Sequence, residues 1–200
     1  ERGVNSRLAA QNTNAAQTSG LTSFNSNGFT LSATQAGELT NASNAEYASF
    51  TFRKKEKFFD VVTYTGNGVQ GREIAHGLAG PVGMILVKSL NFGGVPYDWS
   101  VYHQSSGGTK RLKLNSTDAE QDNDGFWYDT NATSTHFTVG NAASTNSSGK
   151  TYVAYLFADN SSEDAEEQMI KCGSYTGTAA DLSINLGWEA QFVLVKNISS

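Results

Sequence analysis

Short stretches of alternating apolar and polar residues recur along the chain, and they predict β-strands. In residues 59–64, Phe59 and Val61 alternate with Asp60. Because successive side chains of a strand point to opposite faces, we expect Phe59 and Val61 to be buried and Asp60 to face the solvent. No stretch has helical apolar spacing over three turns, so the pattern predicts an all-β fold.

The strand pattern occurs twice in the sequence. The residues YTG at 64–66 return at 175–177, and ILVK at 85–88 returns as VLVK at 193–196. Self-similarity at a fixed spacing indicates one structural unit used twice. The period of this repeat is about 105 residues.

A third repeated pair, Tyr47–Phe52 and Tyr152–Phe157, extends the prediction of which side chains are buried. The side chains expected to face a core are Ala48, Phe50, Phe52, Val153, Tyr155, Phe157, Ile170 and Cys172, whereas Lys171 should face outward. Cys172 is interpreted as a small apolar core residue, because a reactive thiol needs exposure and a basic or metal-rich neighbourhood.

Short strands joined by turns that contain Gly and Pro favour an antiparallel β-sandwich, and a closed barrel is the alternative. We predict two tandem modules, residues 1–92 and residues 93–200. In the alignment of the two copies, the repeat does not start at residue 1 or end at residue 200. We therefore expect a module to lack a strand. A longer array, or neighbouring chains, would then complete the modules.

The composition narrows the classes of function. The chain has 200 residues, of which 16% are charged, and its net charge is −5. A protein that binds nucleic acid needs a basic face, so nucleic acid is excluded as a partner. No apolar run approaches the roughly 20 residues of a spanning helix, so membrane insertion is not predicted.

The histidines give no sign of catalysis. His76 aligns with Ile184 of the second copy, so its position is interpreted as packing space. No Ser or Cys stands at a recognisable nucleophile elbow, and no spacing of His, Cys and Asp fits a zinc site. We therefore predict no enzymatic activity, no cofactor and no metal.

The polar stretch Glu120–Asp129 is the predicted ligand site. Its oxygen-bearing side chains before a glycine are similar to part of a calcium loop, but Asn131 stands where an EF-hand needs its closing glutamate. A looser calcium site stays open, as does a glycan site with an aromatic stacking surface. The alternative is an acidic turn that buries Phe126 or Trp127. The candidate ligand residues are Asp122, Asn123, Asp124, Trp127 and Tyr128.

Two linkers carry opposite charges at equivalent positions of the repeat. The basic linker contains Arg53, Lys54, Lys55 and Lys57, and the acidic linker contains Glu163, Asp164, Glu166 and Glu167. Because complementary charge influences register and partner choice, the linkers predict a contact between successive modules or between subunits.

As an ordered set, the segments FTFRK, KFFDVVTYTGNG, REIAHGL, MILVKSL, DWSVYH, KRLKLNSTDA and NSSGKTYVAYLFA resemble a repeated module of tail-fibre-like virion proteins of tailed phages. The resemblance covers nearly the whole chain. It implies a lectin-like or laminin-G-like β-sandwich in an extracellular virion, where host-surface recognition is the usual role.

The implied partners are neighbouring copies of the same chain, with a trimer favoured, and a host-surface glycan or protein. The expected function is therefore a structural and adhesive fibre segment. The alternatives are a capsid-decorating protein without a ligand and a carbohydrate-degrading depolymerase domain. A depolymerase would need a cleft with two carboxylates about 5–10 Å apart.

Overall fold

The computed structural model describes residues 4, 7–18, 20–32, 40–91, 96–161, 163–164 and 166–199. Within these residues the strands are β1 Leu21–Asn25, β2 Gly28–Leu31, β3 Phe59–Thr65, β4 Arg72–Ala75, β5 Val82–Ser89, β6 Ser100–His103, β7 Lys110–Lys113, β8 Gln121–Asp122, β9 His136–Val139 and β10 Thr151–Ala158. Two one-turn helices, α1 Asp124–Trp127 and α2 Ala143–Asn146, precede β9 and β10 respectively. No helix among the described residues has the length and apolar character needed to cross a membrane.

The strands pair antiparallel, which confirms the predicted all-β fold. The main sheet has six strands in the order β3, β10, β5, β6, β7, β8, and two smaller sheets pair β1 with β2 and β4 with β9. The predicted boundary between residues 92 and 93 separates β5 from β6, although these two strands pair with each other. The division into modules 1–92 and 93–200 stays a prediction.

The main apolar core lies on one face of the central strand β10, and it is the face opposite to the predicted one. The fully buried side chains of this core include Ile85, Val87, Tyr152, Ala154 and Leu156. Phe59 and Val153 are buried as predicted, but Val61, Tyr155 and Phe157 are only half-buried on the other face. Both faces of β10 are covered, so its apolar run does not alternate and cannot indicate which face packs more tightly.

Residues 7–17 lie across that second face of the main sheet. The indole Nε1 of Trp99 donates a hydrogen bond to Ala9 O (3.0 Å), and Lys88 Nζ donates to Thr13 O (2.9 Å) and Tyr97 O. Burial lowers the pKa of the Lys88 ammonium to about 8. Backbone carbonyl groups thus accept hydrogen bonds from the side chains of Trp99 and Lys88, whose N–H groups would have no partner on a purely apolar face.

Asp60 is buried, so the prediction that it faces the solvent is wrong. Its carboxylate accepts hydrogen bonds from the backbone N–H groups of Val61 (2.7 Å) and Gly77 (2.6 Å), and it lies 2.7 Å from Lys54 Nζ. Burial alone would raise the pKa of the Asp60 carboxyl, but these bonds outweigh burial and the pKa is lowered. Gly77 is distant in sequence, so strand alternation could not reveal this compensation.

The segments that flank the main sheet lack the strands that the repeat predicts. Residues 45–54 and 166–199 contain no strand. Ala48, Phe50 and Phe52 are exposed, so the prediction that they face a core is wrong. Ile170 and Cys172 are half-buried at the end of the main sheet, where Ile170 packs on the core.

Candidate functional site

The predicted ligand loop, Glu120–Asp129, lies at the edge of the main sheet. Its first part forms the short strand β8, which pairs with β7. Asn123 then caps α1, because its side-chain Oδ1 accepts a hydrogen bond from Gly125 N (2.8 Å). Asn is a favoured residue at the start of a helix for this reason. A paired strand followed by a capped turn holds the loop in a defined position.

Trp127 anchors the loop in the core. Its side chain is 1% exposed and meets the ring of Tyr102 edge-on, with the ring centroids 5.9 Å apart. The backbone approaches closely behind this anchor, since a Cβ added to Gly140 would lie 2.3 Å from Gly125 O. Trp127 therefore cannot stack on a ligand in this structure. Its burial agrees with the alternative interpretation of this stretch as an acidic turn that buries Phe126 or Trp127.

The exposed residues of the loop include the candidate ligand residues Asp122, Asp124 and Tyr128. The Asp122 carboxylate lies 2.8 Å from Lys110 Nζ, and this hydrogen bond raises the pKa of Lys110. Tyr128 is 44% exposed in a left-handed conformation (φ 53°), with its ring against Gly71. Carboxylates and an aromatic face at one edge can hydrogen-bond hydroxyl groups and cover an apolar ring face, which are the two contacts that a sugar offers.

The geometry gives no support to the calcium interpretation of the loop. Among the residues that the structure describes, no three His, Cys, Asp or Glu side chains are grouped to hold a metal ion. Two predicted oxygen ligands are already engaged, Asp122 with Lys110 and Asn123 with the first turn of α1. Of the three predicted oxygen ligands, only Asp124 makes no side-chain hydrogen bond or ion pair with the residues that the structure describes.

A shallow cleft of about 370 Å³ opens next to the loop, and none of the predicted site residues lines it. Tyr102, Gln104, Asn131 and Thr133 contribute to its lining. Asn131 Oδ1 accepts a hydrogen bond from Gly108 N (2.8 Å), and Gln104 Nε2 donates to Cys172 O (2.6 Å). The lining residues come from separate parts of the chain, so no local motif could mark them.

The charged linkers meet within one chain. Lys57 Nζ lies 3.0 Å from Glu163 Oε2, and the hydrogen bond to Glu163 raises the pKa of Lys57. Lys54 instead pairs with the buried Asp60. Arg53, Lys55, Asp164, Glu166 and Glu167 are exposed. The expected contact between subunits is a prediction that a single chain does not test.

His76 and Cys172, which are interpreted from the sequence as packing residues, lie in partly buried surroundings. His76 is half-buried against the ring of Phe137, and burial lowers the pKa of its imidazole. Burial also raises the pKa of the Cys172 thiol to about 12. Both groups are therefore neutral near pH 7, which suits packing better than reactivity.

The fold and the loop together define an antiparallel β-domain with an anchored, polar surface loop. The chain belongs to the DUF7483 family, a domain of unknown function, whose family model matches residues 1–200. No curated protein and no solved structure matches the chain.

Proposed function

We propose that the chain is a structural and adhesive segment of a tailed-phage virion fibre, and that its Glu120–Asp129 loop binds a host-surface glycan. The resemblance of ordered segments such as KRLKLNSTDA and NSSGKTYVAYLFA to tail-fibre-like proteins supports this assignment. The same resemblance supports an extracellular location in the virion and a homo-oligomer, with a trimer favoured.

We propose further that the all-β framework is a lectin-like sandwich used in copies of about 105 residues. Two antiparallel layers with one shared core form a sandwich. In support, Ile74 of β4 and Phe137 of β9 join Ile85 and Leu156 of the main sheet in a single apolar cluster. One complete copy then occupies residues 53–161, which we call the complete module.

The observation that favours recognition is that one residue of the loop is buried in the core while other residues of the loop are exposed. Trp127 fixes the loop to the core, while Asp122, Asp124 and Tyr128 face the solvent. Recognition residues are typically found on loops positioned by a rigid scaffold. Weak binding by one loop is sufficient in a fibre, because linked copies raise avidity without new contacts.

Binding to an array of bacterial surface polysaccharides tests the proposal. The double variant Asp122→Ala and Asp124→Ala should lose most of the wild-type signal and keep its melting temperature. The charge-matched control is Glu56→Ala with Glu73→Ala, two exposed carboxylates outside the loop, and it should bind as the wild type does. Full binding by the loop variant would contradict the assignment.

The proposed role is binding without cleavage. A polysaccharide captured on the array should be recovered at its original length after incubation with the protein. New reducing ends, formed in proportion to the protein added, would instead favour a depolymerase.

A further inference from the structure

Two segments of the chain repeat strands of the complete module, yet they stay exposed. Tyr64 of β3 and Tyr152 of β10 are 8% and 0% exposed, whereas their counterparts Tyr175 and Tyr47 are 52% and 53% exposed. Large apolar side chains at core positions of a repeated unit are expected inside a core. The exposed copies therefore lack the partner that covers them.

The same contrast holds at the other repeated strands. Val87 of β5 is fully buried, but its counterpart Val195 is 59% exposed. Phe137 of β9 is also buried, and its counterpart Phe29 is exposed. Phe192, Val193, Leu194 and Val195 are consecutive and exposed, and contiguous exposed apolar residues mark an interaction surface.

A repeated glycine leads to the same conclusion. In the complete module, a Cβ added to Gly66 would lie 2.2 Å from Ser147 O, so only glycine fits there. Its counterpart Gly177 has no atom within 4 Å of such a Cβ. The segment thus keeps a glycine that its present surroundings do not require and that a closed module would.

The exposed copies form two complementary halves. The N-terminal half module, residues 7–52, contains the counterparts of β9 and β10, and the C-terminal half module, residues 170–196, contains those of β3, β4 and β5. In the complete module β10 lies between β3 and β5, and β9 pairs with β4. Each half therefore holds the strand partners of the other.

We propose that the C-terminal half module of one copy of the chain pairs with the N-terminal half module of a second copy. Tyr47–Phe52 then forms a strand between residues 170–175 and 192–197. The proposal goes beyond glycan binding, since none of the candidate ligand residues of the loop takes part. The two joined surfaces differ, so the contact is head-to-tail and can propagate along a fibre.

The complete module fixes the register of this contact. Ala154 of β10 lies opposite Val87 of β5. By the repeat, Ser49 of one copy should lie opposite Val195 of the other. Ala48, one residue away, should point to the opposite face of the new sheet.

The halves of a single chain touch but do not pair as strands, so the pairing that the repeat predicts is left to a second copy. The rings of Phe50 and Phe192 lie 5.2 Å apart, but neither segment forms a strand. Charge does not oppose the contact, because the C-terminal half is neutral and the N-terminal half has a net charge of only −1. The charged residues are Arg7, Glu38 and Glu46 in the N-terminal half and Lys171, Lys196, Asp181 and Glu189 in the C-terminal half.

Disulfide trapping between copies tests the proposal. All variants carry Cys172→Ser to remove the native thiol. Protein with Ser49→Cys is mixed with isotope-labelled protein with Val195→Cys and mildly oxidised. Facing residues of antiparallel strands have Cα atoms about 4.5–5.5 Å apart, which suits a disulfide. We expect a mixed-mass disulfide dimer.

Two matched controls sharpen the test. The Ala48→Cys variant mixed with the Val195→Cys variant should give no disulfide dimer, because its thiol lies on the wrong face. Adding Gly177→Ala to the Val195→Cys protein should abolish the cross-link, whereas adding Gly173→Ala should not, because its counterpart Val62 already has a Cβ.

Three results would overturn the proposal. One is a double variant, Ser49→Cys with Val195→Cys, that closes its disulfide within a monomer while the mixture gives no dimer. The second is an equal dimer yield from the Ala48→Cys and Ser49→Cys mixtures. The third is the absence of any disulfide between these strands.

Discussion

Tyr64 and Tyr152 stack across the β3 and β10 pair, with ring centroids 5.2 Å apart and 18° between the ring planes. Both hydroxyl groups donate hydrogen bonds of 2.7 Å to the α2 turn, from Tyr64 to Thr145 O and from Tyr152 to Ala143 O. The stacked pair therefore joins the main sheet to α2.

The hydroxyl of Tyr152 should contribute measurably to stability. It also accepts a hydrogen bond from Ser147 N (2.8 Å), so Tyr152→Phe leaves both a donor and an acceptor without a partner. We expect a loss of about 1–3 kcal/mol in the free energy of unfolding by urea. The control is Tyr47, the exposed counterpart of Tyr152. Tyr47→Phe should change the free energy of unfolding by less than about 0.5 kcal/mol. Equal losses would contradict the assignment of Tyr152 to the core.

Asp60 should make the protein sensitive to acid. The pKa of its carboxyl is lowered in the folded state, so its contribution is present above the unfolded pKa of about 3.9 and is lost as the pH falls through the folded pKa. Asp60→Asn keeps the shape of the side chain but removes this titration. The free energy of unfolding should then fall less steeply below about pH 4 than in the wild type. Parallel pH profiles would refute the role of Asp60.

Lys88 should make the stability of the protein rise with pH in the alkaline range. Burial lowers the pKa of its ammonium to about 8, while the unfolded value is about 10.4. Between these values the unfolded chain binds more protons, so stability attributable to Lys88 rises with pH. Urea unfolding across this window should show a larger rise for the wild type than for Lys88→Met. A variant with the same slope would show that Lys88 is not buried as described.

Gly140 should be essential for the position of the ligand loop. Because a Cβ there would collide with Gly125 O at 2.3 Å, Gly140→Ala must displace α1 or the strand β9 beside it. We expect a lower melting temperature and weaker polysaccharide binding. Gly28→Ala is the control, since a Cβ at Gly28 has no atom within 4 Å. If Gly140→Ala retains both properties, the close approach of the two backbones is not present in solution.

The sequence allowed the all-β class and the burial of Phe59 to be predicted, because turn residues and strand alternation are local signals. It could not identify the more tightly packed face of β10, since a central strand covered on both sides has no polar face. The burial of Asp60 depends on an N–H from the distant Gly77. The burial of Trp127 depends on Tyr102 and on a glycine contact between two loops. Such compensation between distant segments is invisible in a local pattern.

The repeat itself was visible in the sequence, but the strand pairing was not. The alignment relates residues 47–52 to β10 by sequence, yet it does not reveal that β10 inserts between β3 and β5. Antiparallel pairing between segments about 60 to 100 residues apart is set by the whole fold, and not by the composition of either segment.

The most direct test of the account is whether the complete module folds as one unit. We would compare two fragments, residues 53–161 and residues 93–200, by amide dispersion in heteronuclear NMR spectra. The account predicts dispersed resonances and a cooperative urea transition for residues 53–161, because all the buried residues of the apolar cluster lie within them and only the half-buried Ile170 packs on it from outside. It predicts no such transition for residues 93–200, which lack β3 and β5. A folded 93–200 fragment beside an unfolded 53–161 fragment would contradict the account.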